Sequence, residues 1–120
     1  MVVWFEIPVD DMERAKAFYD KVFSVNVEIM NFGGLLMGMF PNKGPEYGAT
    51  GTLIKQDTYI PSKEGTLVYF RCEDVANELD RVEAAGGQIY QPKTKISDEH
   101  GFMAAFIDTE VNRIALHSRQ

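Results

Sequence analysis

The sequence is poor in the residues that build covalent or metal-based sites, with one cysteine, one tryptophan and two histidines in 120 residues. A lone Cys72 excludes a disulfide within the chain. His100 and His117 stand in no His-x-His or Glu-x-x-His spacing, so no local metal motif is present. Basic residues are also scarce, 12 against 18 acidic, for a net charge of -6. That balance repels a phosphate backbone and argues against a nucleic-acid partner; a cationic small molecule is what such a surface tolerates best. The longest apolar run, Phe32 to Phe40, is too short to span a bilayer, so no membrane partner is expected. Met1 is followed directly by a strand-like segment, with no basic leader region and no small-residue cleavage site, and a cytoplasmic location is the expectation.

What is present is an ordinary globular composition, 45% hydrophobic and 25% charged. The length suits a single domain with one core over residues 1–120. Cys72 sits in an apolar strand-like run beside Arg71 and reads as a small buried hydrophobe.

Val2 to Val9 is rich in β-branched and aromatic residues and reads as a strand, with Pro8 near its end. Asp10 or Asp11 then caps a helix in which Met12, Ala15, Phe18, Tyr19, Val22 and Phe23 form an apolar stripe. Strands follow at Val25 to Phe32, Leu35 to Phe40 and Thr50 to Gln56, with a turn at Gly33-Gly34 and a loop at Lys43 to Tyr47. An exposed connector of turn-forming residues runs from Asp57 to Gly65. The plan then repeats: a strand at Thr66 to Cys72, a cap at Asp74, and a helix through Leu79, Val82 and Ala85 closed by Gly86-Gly87. Strands at Gln88 to Gln91, Gly101 to Ile107 and Arg113 to Ser118 follow, with turns at Pro92, His100-Gly101 and Asp108 to Asn112. A shift of 63 residues carries Asp11 onto Asp74, Ile7 onto Phe70 and Tyr19 onto Val82, as a structural duplication requires. The expected fold is α+β: two tandem βαβββ modules, about 1–57 and 66–120 around a linker of about 58–65, forming a curved mixed sheet around a cavity.

The run from Phe5 to Tyr19, with its Asp cap and Phe-Tyr pair, resembles the opening strand and helix of the glyoxalase/bleomycin-resistance/dioxygenase (vicinal oxygen chelate) family. Glu73-Asp74-Val75, Val82 to Gly87, Pro92-Lys93-Thr94, His100-Gly101-Phe102 and Phe106 to Leu116 resemble the remaining landmarks in order. Ser24 and Val111 stand where the family usually has glycine. The resemblance implies two half-cups closing around a cavity, and homodimers are common among members of this length. In catalytic members four His, Glu or Gln side chains hold a divalent metal there. Counting from the landmarks places those four positions at Trp4, at Gly51 or Thr52, at Leu67 and at Ala115. Indole, isobutyl, methyl and hydrogen supply no lone pairs for a hard ion, so no metal and no other cofactor is expected.

Residues two apart on a strand share a face. If Trp4, Leu67 and Ala115 face the cup, then Glu6, Tyr69, Arg71, Arg113 and His117 do so beside them, with His100 at the cavity mouth. The nine together are the candidate ligand-binding set, apolar walls with a few polar anchors. Trp4 and Tyr69 are placed to stack on a planar ligand, unless they are simple core. Glu6 is the one candidate for a catalytic base, its alternatives being a structural ion pair with Arg71 or a place on a solvated barrel rim. The expected function is binding of a small, cationic or aromatic molecule in a metal-free cavity. The alternative is a lyase, isomerase or dioxygenase related to glyoxalase I with a non-standard site; whether any reaction is catalysed, and on what substrate, is not written in the residues.

Overall fold

The structure is a computed structural model that describes residues 1–120. Module one runs β1 (Trp4–Pro8), α1 (Met12–Phe23), β2 (Glu28–Phe32), β3 (Leu35–Met39) and β4 (Thr50–Lys55). Module two runs β5 (Tyr69–Arg71), α2 (Val75–Val82), β6 (Gln88–Ser97), β7 (Gly101–Ile107) and β8 (Arg113–Ser118). Each module forms its own four-stranded sheet, in the order β1-β4-β3-β2 and β5-β8-β7-β6. In each the first and last strands pair in parallel and the other neighbours are antiparallel. The offset of 63 relates the two helix caps, Asp11 and Asp74, and also the bounds of β4 and β8.

Local chemistry explains the elements. Asp11 caps α1 by accepting from the Arg14 N–H at 3.0 Å, and Asp74 caps α2 by accepting from the Ala76 N–H at 2.9 Å. The apolar stripe of α1 is buried from Met12 to Val22, each large side chain contributing roughly 1.5–3 kcal/mol. α1 ends at Ser24 with φ 53°, and the β7–β8 turn passes through Val111 with φ 69°. These are the only non-glycine residues at positive φ, and they are the two positions where the sequence departs from a glycine pattern.

Several expected bounds move: β1 begins at Trp4, β2 begins at Glu28 and α2 ends at Val82, before Ala85. β5 is only three residues long, and its ladder to β8 begins at the Val68 carbonyl, which accepts from the Ala115 N–H at 2.9 Å. β6 runs through Pro92, where a turn was expected. It is an edge strand and its register shifts between Gln91 and Thr94, so Pro92 removes no needed ladder hydrogen bond. No helix is long and apolar enough to cross a membrane.

One hydrophobic cluster joins the modules. Phe23 packs at a tilt on Phe70 with centroids 4.6 Å apart, Phe18 meets Phe106 at 5.6 Å, and Phe5 meets Phe70 edge-on at 5.6 Å. Gly87 lets α1 approach, since a Cβ there would lie 2.7 Å from the Phe18 ring and from the Ile107 carbonyl.

Above this cluster the β7–β8 turn of module two clasps the start of α1. The buried Glu110 carboxylate accepts from the backbone N–H groups of Asp10 (2.9 Å) and Asp11 (2.8 Å). It also accepts from Arg14 Nε (2.7 Å) and Nη2 (2.9 Å), and from the Thr109 hydroxyl (2.9 Å). Burial alone would raise its pKa, but these donors outweigh burial and bring it down to about 2. Beneath it the buried Tyr19 hydroxyl donates to Asp108 at 2.6 Å. Burial, then the neighbouring Asp108, pushes Tyr19 well above the ordinary phenol range. Burial likewise raises Asp108, against the donors Tyr19 and Asn112. Asn112 completes the joint by donating to the Pro8 carbonyl at 2.8 Å.

Because the Glu110 pKa is depressed by folding, its contribution is present above its unfolded value and lost as pH falls towards about 2. Glu110→Gln is expected to cost about 2–3 kcal/mol in urea melts at pH 7, with the gap to wild type closing between about pH 5 and 2. A pH-independent gap would contradict this assignment. Val111→Gly removes a β-branched residue from the left-handed region and is expected to raise stability by about 1 kcal/mol in the same assay.

Candidate functional site

The strand periodicity splits each sheet into a helix-facing and an open face. In β1, Ile7 enters the core and Phe5 packs against it, while Trp4 and Glu6 alternate with them and are exposed. Register then puts Thr52 and Met39 in the row of Glu6, and Ile54, Met37 and Met30 in the next row. In module two, Phe70, Ile114 and Leu116 belong to or pack on the core, so Tyr69, Arg71, Arg113, Ala115 and His117 take the open face. Ile54, Ala105 and Ile107 are buried yet lie outside the core cluster, as the open-face rows require.

Between β1 and the segment leading into β5 lies a groove of about 1030 Å³, walled by Trp4 and Glu6 on one side and by Leu67, Tyr69, Arg71, Arg113 and His117 on the other. Thus seven of the nine residues proposed from sequence border one hollow. Ala115 shares their face but is fully buried and does not border it. His100 also lies off the groove: its carbonyl accepts from His117 Nε2 at 2.6 Å, which fixes the proton on that nitrogen. Arg71 donates to the Glu46 carbonyl at 3.0 Å, and neither Arg71 nor any other group pairs with Glu6. The ion pair weighed for Glu6 and Arg71 is therefore not formed. A smaller hollow of about 310 Å³ between Gly34 and Asp57 contains none of these residues.

Charge is divided between the faces. The open face of module two carries Arg71 and Arg113, while Glu6 and Glu28 sit on the open face of module one; Lys93 and Lys95 on β6 are instead paired with Asp74 and Asp98. Along the groove Lys43, Arg71 and Arg113 face Glu6 and Glu78, so the net acidity of the whole chain does not extend into it. The expectation of a cationic ligand, drawn from that net charge, finds no counterpart here.

The donors for a divalent ion are missing. No three His, Cys, Asp or Glu side chains converge anywhere in the structure. At the second of the four positions, Gly51 is packed so closely on β1 that a Cβ would lie 2.2 Å from the Phe5 carbonyl. The Thr52 hydroxyl is engaged with the Gly38 carbonyl at 2.9 Å. With Trp4, Leu67 and Ala115 at the others, the residues present do not fit a metal of the family type.

Sequence reasoning missed Tyr90 and Glu78. Tyr90 lies on the edge strand with its ring 5.5 Å from the Arg113 guanidinium carbon. Glu78 reaches the groove from α2. Cys72 is close to it, and burial first, then Glu78, pushes the thiol up to about 12.

Residues 1–35 match the family described as bleomycin resistance protein-like N-terminal. No curated protein matches the chain. Several solved structures share the fold. A mutant of glyoxalase I from Zea mays is 17% identical with TM-score 0.76, covering 98% of this chain and 46% of its own. The chain thus spans about half the length of that maize protein. A glyoxalase/bleomycin resistance protein from Albidiferax ferrireducens T118 is 16% identical with TM-score 0.74, covering 100% and 99%. TnmS3, an antibiotic binding protein from Streptomyces sp. CB03234, is 24% identical with TM-score 0.68, covering 100% and 96%. The chain has the fold of the glyoxalase/bleomycin-resistance proteins, the vicinal oxygen chelate superfamily. Within it, the opening strand and helix carry the sequence signature of the bleomycin-resistance-like N-terminal family.

The state of Cys72 gives a direct check on this side of the groove. At pH 8 Ellman's reagent is expected to label the native thiol at least about 100-fold more slowly than the urea-unfolded chain. Equal rates would show a thiol that is neither buried nor suppressed.

Proposed function

We propose that this protein binds a small planar aromatic molecule in the groove between its modules, without a metal ion and without transforming it, as a cytoplasmic homodimer. The observation that carries the reading is the groove wall itself: an indole and a phenol ring, Trp4 and Tyr69, border one hollow in which no metal-binding donor set converges. Both rings are partly exposed, at 39% and 50%, which suits surfaces that gain by stacking on a flat partner. The likeness to an antibiotic binding protein supports a small molecule as the ligand.

The dimer rests on complementarity. The open face of module one is acidic and that of module two basic, and both leave apolar residues such as Val2, Trp4, Met30 and Tyr69 exposed. Two copies related by a two-fold axis bring opposite faces together twice, closing each half-cup with the other chain's. The alternative, a lyase, isomerase or dioxygenase of the glyoxalase I kind, has the fold likeness and Glu6 as a possible base; the donor set gives it no further support.

The test is a thermal-shift panel of planar aromatics on metal-depleted protein. A ligand at about 100 times its Kd stabilises the fold by about 2.7 kcal/mol, a rise of several degrees in Tm. Trp4→Ala and Tyr69→Ala are each expected to weaken binding about tenfold. No stabilisation by any member of the panel, with Trp4 fluorescence unchanged, would refute the reading. In sedimentation the protein is expected at twice its chain mass of 13.6 kDa.

A further inference from the structure

The Arg113 side chain is set up for a partner that the protein itself does not supply. It projects from β8 on the open face of module two and crosses β7, the strand between, to bring its guanidinium over the Tyr90 ring on β6 at 5.5 Å. Its Nε is buried without a hydrogen-bond acceptor, and no carboxylate pairs with the group. A buried charged donor left without an acceptor is costly, and a guanidinium cannot escape by losing its proton. Stacking on Tyr90 limits its rotation while leaving the edge of the fork free. The neighbouring cation is not equivalent, since Arg71 already donates to the Glu46 carbonyl.

We propose that Arg113, held flat by Tyr90, is the anchor for an oxyanion on the ligand, so that the groove selects planar aromatic acids over their neutral counterparts. This rests on the ligand-binding reading above and sets its charge. The strands of module two carry no acidic residue, and of the two carboxylates that border the groove Glu78 pairs with Arg81 and Glu6 forms no ion pair, so neither engages the anchor. Leu67, which borders the same groove, gives the aromatic body an apolar seat. A carboxylate accepting from a guanidinium forms the stronger, charge-assisted kind of hydrogen bond and matches the planar fork in two-point contact.

The experiment compares 2-naphthoate with its neutral isostere 2-naphthamide by titration calorimetry on the dimeric wild type and on Arg113→Met, Arg113→Lys and Tyr90→Leu. Wild type is expected to prefer naphthoate by about tenfold or more. Arg113→Met should erase that preference, weakening naphthoate more than naphthamide, and Arg113→Lys should restore part of it. Tyr90→Leu should weaken naphthoate more than naphthamide. If wild type binds the two equally, or if Arg113→Met keeps the preference, the proposal is overturned while the aromatic groove stands. If neither compound binds, both fall together. If Arg113→Met abolishes the dimer and leaves the preference unchanged, Arg113 belongs to the subunit contact and the proposal is overturned. Arg113→Lys, which keeps the charge, guards against reading misfolding as lost recognition.

Discussion

The clasp of Glu110 on the first turn of α1 is the interaction from which the site follows. Two four-stranded sheets with no shared ladder have no reason of their own to face one another at a fixed distance. A buried carboxylate that accepts from Asp10, Asp11, Arg14 and Thr109 ties the last hairpin of module two to the first helix of module one. Tyr19, Asp108 and Asn112 brace it from below, and Asn112 holds the end of β1 through the Pro8 carbonyl. The groove walls leave this joint directly: Glu6 and Trp4 run back from Pro8, and Arg113 follows Asn112.

The joint also illustrates how an acidic residue can be buried at low cost. Glu110 has five donors, two of them on one guanidinium, and its charge is met where it lies. Arg113 is its opposite, a cation whose inner nitrogen has nothing to meet. That difference separates a structural charge from one available to a ligand, and both lie within a few residues of the same turn.

Much of this was legible in the residues. The Asp caps, the stripe of α1 and the 63-residue offset located both modules, and period-two alternation put Trp4, Glu6, Tyr69, Arg71, Arg113 and His117 on the open faces. Ser24 and Val111, noted only for not being glycine, turned out to mark the two left-handed positions. What stayed hidden depends on tertiary packing. Pro92 reads as a break because sequence does not reveal that β6 lies at an edge and bulges there. The partners of Glu110 lie about a hundred residues away, and Tyr90 meets Arg113 across an intervening strand, so neither pairing has a local signal. Net charge is equally silent on local charge, since an acidic chain can still place Arg71 and Arg113 on one open face.

We propose that this groove works through stacking and polar contacts without a metal ion. Metal analysis of protein purified without chelator tests it most directly. The account expects less than about a tenth of an equivalent of nickel, zinc, iron or manganese per chain, since no donor set converges to retain one. One tightly held equivalent, resistant to dialysis, would contradict it.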